Sequence, residues 1–218
     1  MALRLVLVAP PGGGKSRQAR ALAARLRVLH ISTGDALRDE VAGATPLGLR
    51  VQRFLEAGDL VPDELVTAVL AGRLEDSAAA VGFVLDGFPR THGQALLLDG
   101  ILGDRKVERV VLLVVPEEEV VRRLGGRRVC PAGHPYHVES DPPEVADRCD
   151  VDGLPLRARP DDRPAVIAER LVVYRRETTP MLSDYRDRSL LIEVDGLGSI
   201  EEVRDRILRA LKPGRPPA

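Results

Sequence analysis

The sequence predicts an α/β fold in which a parallel five-stranded sheet is flanked by helices. Short apolar runs recur along the 218 residues, and patterns with helical spacing separate them. Alternation of this kind is typical of a parallel sheet with helices on both faces. The five strand-like runs lie at Leu5–Val8, near Val28–Ile31, at Gly82–Leu85, at Arg109–Val115 and at Leu190–Val194.

The first of these strands leads directly into a candidate phosphate-binding loop. Residues 9–16 have the sequence Ala-Pro-Pro-Gly-Gly-Gly-Lys-Ser, and a helical pattern follows them. Residues without a Cβ let successive backbone N–H groups converge on phosphate, and the start of the helix adds partial positive charge. Lys15 supplies a mobile charge for the outer phosphates, and the Ser16 hydroxyl suits a magnesium ion that bridges two of them. The pattern predicts a nucleotide-binding protein, with a plain glycine-rich turn as the alternative.

The composition is that of a globular protein. Hydrophobic residues make up 44% of the chain, which is enough for a well-buried interior. The net charge of −1 gives no sign of a general nucleic-acid surface. No apolar run approaches the length of a membrane span, and Leu3–Val8 is too short for a signal peptide. We therefore expect a cytoplasmic protein with no nucleic-acid or membrane partner.

Two segments interrupt the alternation of strands and helices. Residues 32–75 contain two or three helical patterns with no strand between them. Residues 128–162 are rich in Pro, Gly, Asp and Arg and poor in aliphatic side chains, so this segment cannot form an apolar core of its own. After it, a long helix should begin near Pro164 and be kinked or restarted by Pro180.

Five further motifs follow the phosphate loop along the chain. They are Ser32-Thr33-Gly34-Asp35-Ala36-Leu37-Arg38, Gly58-Asp59-Leu60-Val61-Pro62-Asp63, Asp86-Gly87-Phe88-Pro89-Arg90-Thr91 with Gln94, Gly126-Arg127-Arg128, and Arg159-Pro160-Asp161-Asp162 with Arg170. Together with the loop, they resemble the motifs of the adenylate kinase family, in the same order over nearly the whole chain. In that family, a phosphate-loop kinase core carries a helical domain that binds the nucleoside monophosphate (NMP) and a lid that closes over the triphosphate. The resemblance implies a core of residues 1–31, 76–126 and 164–214, an NMP-binding domain of 32–75 and a lid of 127–163, and the proline-rich end of the chain predicts a disordered tail of 215–218.

Phosphoryl transfer between two nucleotides brings two polyanions together, so the site needs many fixed cations and must exclude water. Arginine suits this task, because its planar fork binds phosphate oxygens and stays charged. The resemblance implies that Arg38 and Arg90 clamp the acceptor phosphate. It implies a catalytic set of Lys15, Arg90, Arg127, Arg159, Arg170, Asp161 and Asp162.

The resemblance also implies two substrate-binding sets and a magnesium site. The ATP-binding set is Pro11, Gly12, Gly13, Gly14, Lys15, Ser16, Arg17, Arg123 and Arg127, although Arg123 could equally lie on an exposed helix face. The AMP-binding set is Thr33, Gly34, Arg38, Leu60, Val61, Gly87, Arg90, Gln94, Arg159 and Arg170, with Gln94 reading the adenine edge. Ser16 and Asp86 would hold magnesium, Asp86 through water. Asp161 and Asp162 would orient the lid arginines, with helix capping as the alternative.

The phosphate loop departs from the family pattern at three positions. Ala9 replaces the usual first glycine, which is a mild change unless the backbone there needs a positive φ. Arg17 replaces a threonine that contacts the α-phosphate, and Ser16 replaces a glycine and could recover the hydroxyl contact. An arginine at position 17 could bind phosphate or crowd it, which affects the expected rate more than the fold.

The lid segment contains both cysteines of the chain. Some family members bind zinc here through four cysteines, or through three cysteines and an aspartate. This chain offers Cys130, His134, Cys149 and Asp152, a chemically sound tetrahedral set, with His137 as the rival for the histidine position. Zinc would stabilise a module that lacks an apolar core. A disulfide and two buried free thiols are the alternatives.

We therefore expect a monomeric adenylate kinase that converts MgATP and AMP reversibly into two ADP, with a structural zinc ion in its lid. Two rival functions remain open on the sequence. One is a kinase for another nucleoside monophosphate, GMP, UMP or CMP. The other is a non-catalytic nucleotide-binding protein whose altered phosphate loop binds nucleotide without transferring phosphate.

Overall fold

The predicted α/β fold is confirmed by a computed structural model, which describes residues 3–74 and 81–212. The predicted boundary at 75/76 and the predicted tail of 215–218 lie outside the described residues. The sheet strands are β1 (Leu3–Val8), β2 (Leu29–Ser32), β3 (Gly82–Asp86), β4 (Arg109–Val114) and β7 (Leu191–Asp195). All neighbouring strands of this five-stranded sheet are parallel, in the order β2-β3-β1-β4-β7.

Helices cover both faces of the sheet, and strand β1 shows how the core is divided. The helices around the sheet are α1 (Lys15–Leu26), α5 (His92–Leu102), α6 (Glu117–Gly125), α7 (Pro164–Val173), α8 (Thr179–Asp187) and α9 (Ile200–Ala210). Side chains alternate between the two faces of a strand. Leu5 and Leu7 pack in the cluster that includes α1 and α9, whereas Val6 and Val8 pack in the larger cluster that includes α5 and α8.

The described residues from Thr33 to Leu74, which follow β2, form three helices, α2 (Thr33–Ala42), α3 (Pro46–Ala57) and α4 (Asp63–Leu74). Helix α3 begins after Thr45, whose hydroxyl accepts the Gly48 N–H, and ends at Gly58, whose φ of 84° lies in the left-handed region. The turn after Gly58 carries Leu60 toward the carboxyl edge of the sheet, where it lines a cleft.

The lid segment is built around the short antiparallel pair β5 (Arg127–Val129) and β6 (Pro135–His137). A bridge between Val129 and Arg157 adds the returning chain to this pair. The buried apolar cluster of this segment consists only of Cys130, Tyr136, Cys149 and Leu156 among the described residues. So small a core supports the expectation that the segment needs another source of stability.

The long C-terminal helical pattern is divided in two, as the proline predicts. Helix α7 runs into a π-helical turn, Tyr174–Thr178, and α8 begins at Thr179 with Pro180 in its first turn. Within the described ranges, no helix is long and apolar enough to cross a bilayer.

Candidate functional site

The phosphate loop joins β1 to α1 at the carboxyl edge of the sheet, where open α/β folds bind their ligands. Gly12 and Gly14 have φ values of 71° and 84°, which residues with a side chain rarely adopt. A Cβ on Gly12 would also lie 2.7 Å from Cγ of Leu124. Ala9 has no positive φ, so the departure at the first loop position places no strain on the backbone.

The methyl group of Ala9 instead changes the packing inside the loop. A Cβ built on Gly13 would lie 2.8 Å from Cβ of Ala9 and 3.0 Å from the carbonyl oxygen of Pro10. Ala9 is 6% exposed, so its methyl group is fixed in the interior. The two positions are therefore coupled, since Ala9 fills the space that a side chain at position 13 would need.

Lys15 is the first residue of α1, and several positively charged side chains surround it. Burial, together with repulsion from Arg90, Arg170 and Arg38, lowers its pKa to about 8, although the attraction of Asp86 opposes the shift. The side chain makes no ion pair with any described residue. An ammonium group held in this way gains from a bound anion, because the anion offsets the repulsion.

Asp86 ends β3 beside the phosphate loop, opposite Leu7 of β1 and Ser32 of β2 in the sheet. It is 1% exposed, and its Oδ1 atom has no hydrogen-bond partner among the described residues. Oδ2 lies 4.0 Å from Nε2 of His30. A buried carboxylate oxygen without a partner is costly, so this position suits a cation or its water shell.

Backbone and amide contacts around Arg90 hold together the predicted acceptor side of the site. The Arg90 side chain donates from Nε to the carbonyl oxygen of Gly87 at 2.9 Å, and its backbone N–H donates to Oε1 of Gln94 at 2.8 Å. Nε2 of Gln94 donates to Oδ1 of Asp63 at 2.7 Å. Gln94 is buried, and Asp63 fixes which way its amide points. Burial, with the repulsion of Arg170, lowers the pKa of Arg90 to about 10.

Thr33, Gly34 and Arg38 lie on the first two turns of α2. The Thr33 hydroxyl donates to the carbonyl oxygen of Asp86 at 3.3 Å, and a Cβ on Gly87 would lie 2.7 Å from that hydroxyl oxygen. The Arg38 guanidinium pairs with Asp35. These contacts connect the first turns of α2 to the end of β3.

An open cleft runs between the phosphate loop and the acceptor side. Several predicted site residues line it, whereas Val61 packs into the larger apolar cluster of the core instead. The cleft is lined by Pro11, Lys15, Leu60, Gly87, Arg90 and Arg170, together with apolar residues of β1 and α7.

Two adjacent carboxylates fix the arginines at the base of the lid. Arg127 binds Asp162 with two bonds, Nε to Oδ2 at 2.7 Å and Nη2 to Oδ1 at 2.6 Å. Arg170 donates to Oδ2 of Asp161 at 2.9 Å and lies 3.6 Å from Oδ1 of Asp162. Helix α7 follows Arg163, and no side chain caps its start, so the capping alternative is not what these carboxylates do.

Arg159 differs from its neighbours, because no described carboxylate pairs with it. Burial lowers its pKa to about 10, and the nearby guanidinium groups of Arg127 and Arg38 add to the effect. Like Lys15 and Arg90, Arg159 is therefore a cation whose charge is compensated by no ion pair in the described part of the chain. Such groups are prepared for a polyanionic ligand.

Arg123 reaches the phosphate loop from α6 and does not lie on an exposed helix face. Its Nη1 atom would be 3.7 Å from a Cβ on Gly14, and its Nε donates to Oε1 of Glu119 at 2.6 Å. Hydrogen bonds from Arg122 and then Arg123 lower the pKa of Glu119 to about 2. The spacing of four residues between Glu119 and Arg123 could have predicted this pair.

Arg17 points from α1 to the lid. Its Nη2 atom lies 3.2 Å from Oδ2 of Asp141, and both side chains are about half exposed, at 41% and 53%. Sequence reasoning missed Asp141, because the two residues are 124 positions apart and no local pattern joins them.

The four predicted metal ligands converge in the lid. One ligand atom from each of Cys130, His134, Cys149 and Asp152 lies within 4.8 Å of the others. Nδ1 of His134 is 3.3 Å from both sulfur atoms and 3.1 Å from Oδ2 of Asp152. The Leu154 N–H bonds Oδ1 of Asp152, which lowers the pKa of this carboxyl to about 2 and leaves Oδ2 toward the cluster. Both cysteines are buried free thiols.

His137, the rival for the histidine position, is used elsewhere. It is buried at the base of the lid, where its Nδ1 accepts the N–H groups of Glu139 and Ser140, both at 3.1 Å. Its Nε2 lies 3.3 Å from the carbonyl oxygen of Arg122. Both ring nitrogens therefore have backbone partners, and the imidazole joins the end of α6 to the lid.

Comparison with known proteins gives a consistent result. A model of the adenylate kinase family matches residues 7–190. The adenylate kinase of Acidothermus cellulolyticus is 46% identical to this chain over 213 residues, which are 96% of this chain and 98% of the relative. The adenylate kinase of Salinispora tropica has the same identity and coverage, and that of Methanothrix thermoacetophila is 41% identical over 211 residues, with 96% and 98% covered.

Proposed function

Because the chain belongs to the adenylate kinase family, we propose that it transfers the γ-phosphoryl group of ATP to AMP and so forms two ADP. One observation carries the proposal. Cations from separate parts of the chain, Lys15, Arg90 and Arg170, line one cleft beside the phosphate loop. Pure nucleotide binding would not require cations on both sides of this cleft.

The phosphate loop and its neighbours would hold the donor. The backbone of residues 11–14 and the Lys15 ammonium bind the β- and γ-phosphates. Because its pKa is lowered to about 8, Lys15 is partly neutral above that pH in the empty protein, and a bound anion restores its full charge. Arg123 approaches the same loop from α6. Arg127, which Asp162 holds at the base of the lid, is proposed to bind the donor phosphates from the other side. Fixed cations of this kind stabilise the charge that spreads over the transferring group.

The acceptor would lie across the cleft on Arg38 and Arg90. Arg90 is held by Gly87 and Gln94, so its guanidinium group can receive phosphate without first being ordered. Thr33, Gly34, Leu60 and Gln94 are proposed to surround the base, whereas the Val61 side chain packs into the core. Asp63 accepts one N–H of the Gln94 amide, and the amide oxygen accepts the Arg90 backbone N–H. The second amide hydrogen and the second lone pair of the oxygen are left, and we propose that they read the base edge.

The reaction needs no covalent enzyme intermediate. An oxygen of the AMP phosphate attacks the γ-phosphorus, a bond forms there, and the bond from that phosphorus to the β–γ bridging oxygen breaks. The products are two ADP molecules, and the negative charge of the leaving oxygen falls next to the phosphate loop. Arg127, Arg159 and Arg170 would neutralise the equatorial oxygens, and Asp161 and Asp162 position Arg127 and Arg170.

Magnesium would accompany ATP at Ser16 and Asp86. The buried Oδ1 of Asp86, which has no partner among the described residues, supports this assignment, since a water molecule of the magnesium shell would satisfy it. When bound, the ion would neutralise part of the phosphate charge. Asp86 would accept a hydrogen bond from a water molecule of its shell.

Zinc fits the lid cluster. Ligand distances of about 2.0–2.3 Å in a tetrahedral site put ligand atoms roughly 3.3–3.8 Å apart, close to the 3.1–3.3 Å that separates His134 Nδ1 from its neighbours. Two sulfurs, one imidazole nitrogen and one carboxylate oxygen are a suitable donor set. A bound zinc ion would cross-link a segment whose own core has four residues. His134 is the proposed histidine ligand, because His137 is bonded to the backbone.

Two experiments test these proposals. Initial rates with ATP and each of AMP, GMP, UMP and CMP should show strong preference for AMP. Arg159→Ala should reduce kcat by about 10²–10³-fold, as expected for removal of a charge that stabilises the transition state. Arg157→Ala is the matched control, since Arg157 is an exposed arginine of the same segment, and it should act like the unaltered protein. Equal rates for the two variants would contradict the assigned role of Arg159.

Metal analysis of the purified protein tests the lid, with one zinc ion per chain as the expected result. The monomeric state and the cytoplasmic location stay predictions from the sequence and the family.

A further inference from the structure

Tyr136 lies in β6, 8% exposed, in the small apolar cluster of the lid. Its hydroxyl oxygen has two polar neighbours. The backbone N–H of Asp150 lies 2.8 Å from it, and Sγ of Cys149 lies 3.5 Å from it, in a contact that is buried. Tyr136 is therefore next to the proposed zinc ligands without being one of them.

The direction of these two hydrogen bonds follows from counting hydrogens. A backbone N–H can only donate, so the Tyr136 oxygen is the acceptor toward Asp150. The hydroxyl has one hydrogen of its own. Its remaining polar neighbour among the described residues is the Cys149 sulfur, and a buried hydroxyl without a partner is costly. The Tyr136 hydroxyl thus donates to sulfur.

We propose that Tyr136 is a positioning residue of the lid metal site, holding the Cys149 thiolate toward a bound divalent cation of the zinc class. This inference rests on the zinc proposal made above. The hydroxyl binds both the ligand sulfur and the N–H of the next residue, so it fixes the turn that carries Cys149 against strand β6. Groups that orient metal ligands typically change metal affinity by about 10–100-fold when they are removed.

The test replaces only the hydroxyl. Tyr136→Phe keeps the ring that packs with Leu156, so a purely apolar role would survive it. Tyr185→Phe is the matched control, because Tyr185 is fully buried in the main core and its hydroxyl has no partner among the described residues. Zinc affinity is measured on the full-length proteins by competition with a chromophoric chelator, and the sulfur-to-metal absorption band is recorded after cobalt substitution.

We expect Tyr136→Phe to bind zinc about 10–100-fold more weakly and to shift the cobalt–sulfur band, while Tyr185→Phe changes neither. Unchanged affinity and an unchanged band in Tyr136→Phe would overturn the inference. If the unaltered protein takes up no zinc, the zinc proposal itself is wrong and this inference falls with it. The phosphotransferase proposal is tested separately by the AMP assay.

A second measurement needs no variant. In unaltered protein loaded with ¹¹³Cd, the Tyr136 hydroxyl proton should be protected from exchange and show coupling to cadmium through the Cys149 sulfur. A hydroxyl proton that exchanges freely with water and shows no coupling would overturn the inference, whatever the variant does.

Discussion

Gly13→Ala should destabilise this protein through Ala9, and the effect should shrink when Ala9 is replaced by glycine. The new Cβ would lie 2.8 Å from Cβ of Ala9, well inside the usual carbon–carbon separation of about 3.5–4.0 Å. Overpacking of this kind costs about 1–3 kcal/mol. Gly13 has no positive φ, so alanine can adopt its backbone conformation without strain. Alanine also lowers the conformational entropy of the unfolded chain, which stabilises the folded protein by about 0.4–1 kcal/mol. The midpoints of these two ranges, about 2 and about 0.7 kcal/mol, give a net loss of about 1–2 kcal/mol.

The assay is a double-mutant cycle on Gly13→Ala and Ala9→Gly, with urea or thermal unfolding and KM for ATP as readouts. A loss of about 1–2 kcal/mol corresponds to a fall in Tm of about 2–8 °C for a chain of this size. In the Ala9→Gly background the contacts with the Pro10 carbonyl oxygen, at 3.0 Å, and with Cδ of Pro10, at 3.2 Å, remain. We therefore expect Gly13→Ala to cost about 1 kcal/mol less in the Ala9→Gly background than in the unaltered protein, which is the coupling energy of the cycle.

Gly100→Ala is the control, because a Cβ there meets nothing within 4 Å and lies in helix α5. It should stabilise the protein by about 0.5–1 kcal/mol, as expected for a glycine in a helix. The reasoning is refuted if Gly13→Ala costs the same free energy in both backgrounds. That result would mean that the Ala9 methyl group does not restrict position 13.

Three further predictions concern charge and the lid. The KM for MgATP should be constant below about pH 8 and rise above it, because Lys15 has a lowered pKa of about 8 in the empty protein and must take up a proton to bind the anion. Calorimetry of ATP binding at pH 8.5 in two buffers should show this proton uptake. A KM that stays constant up to pH 9.5 would contradict the prediction. Arg17→Ala and Asp141→Ala should each raise the KM for ATP by no more than about fivefold, since this ion pair joins α1 to the lid. In a double-mutant cycle at low salt the two substitutions should show a coupling energy of about 0.2–1 kcal/mol. Strictly additive effects would contradict the proposed pair. Gly126→Ala places a Cβ 2.3 Å from Nε2 of His137. It should lower the free energy of unfolding by about 1–3 kcal/mol, and His137→Ala should partly restore it. An unchanged unfolding curve would show that the base of the lid accommodates the extra methyl group without cost.

Local patterns predicted the sheet well. Each strand is an apolar run, and side-chain alternation along it places successive residues on opposite faces, as Leu5 and Val6 show. The break of the C-terminal helix was also predictable, because Pro180 cannot continue the hydrogen bonds of the preceding turn. These features depend on short stretches of sequence, which is why the fold could be predicted.

The candidate site was predictable where residue type and motif determine the chemistry, and not where distant residues meet. The phosphate loop and the Cys130–Asp152 cluster follow from spacing and donor type. The contact of Arg17 with Asp141 and the coupling of Ala9 to Gly13 depend on how the chain packs, and no sequence interval encodes them. The choice between His134 and His137 likewise depended on which ring nitrogens the backbone already occupies.

We propose that cations on both sides of one cleft bind two nucleotides at once, so that phosphate is transferred between them. The most direct measurement follows ATP, ADP, AMP and inorganic phosphate by ³¹P NMR in a mixture of protein, magnesium, ATP and AMP. We expect two ADP for each ATP consumed, no transfer without AMP, and no comparable release of inorganic phosphate. Bound ATP that stays intact in the presence of AMP, or that yields inorganic phosphate at the same rate with and without AMP, would contradict it.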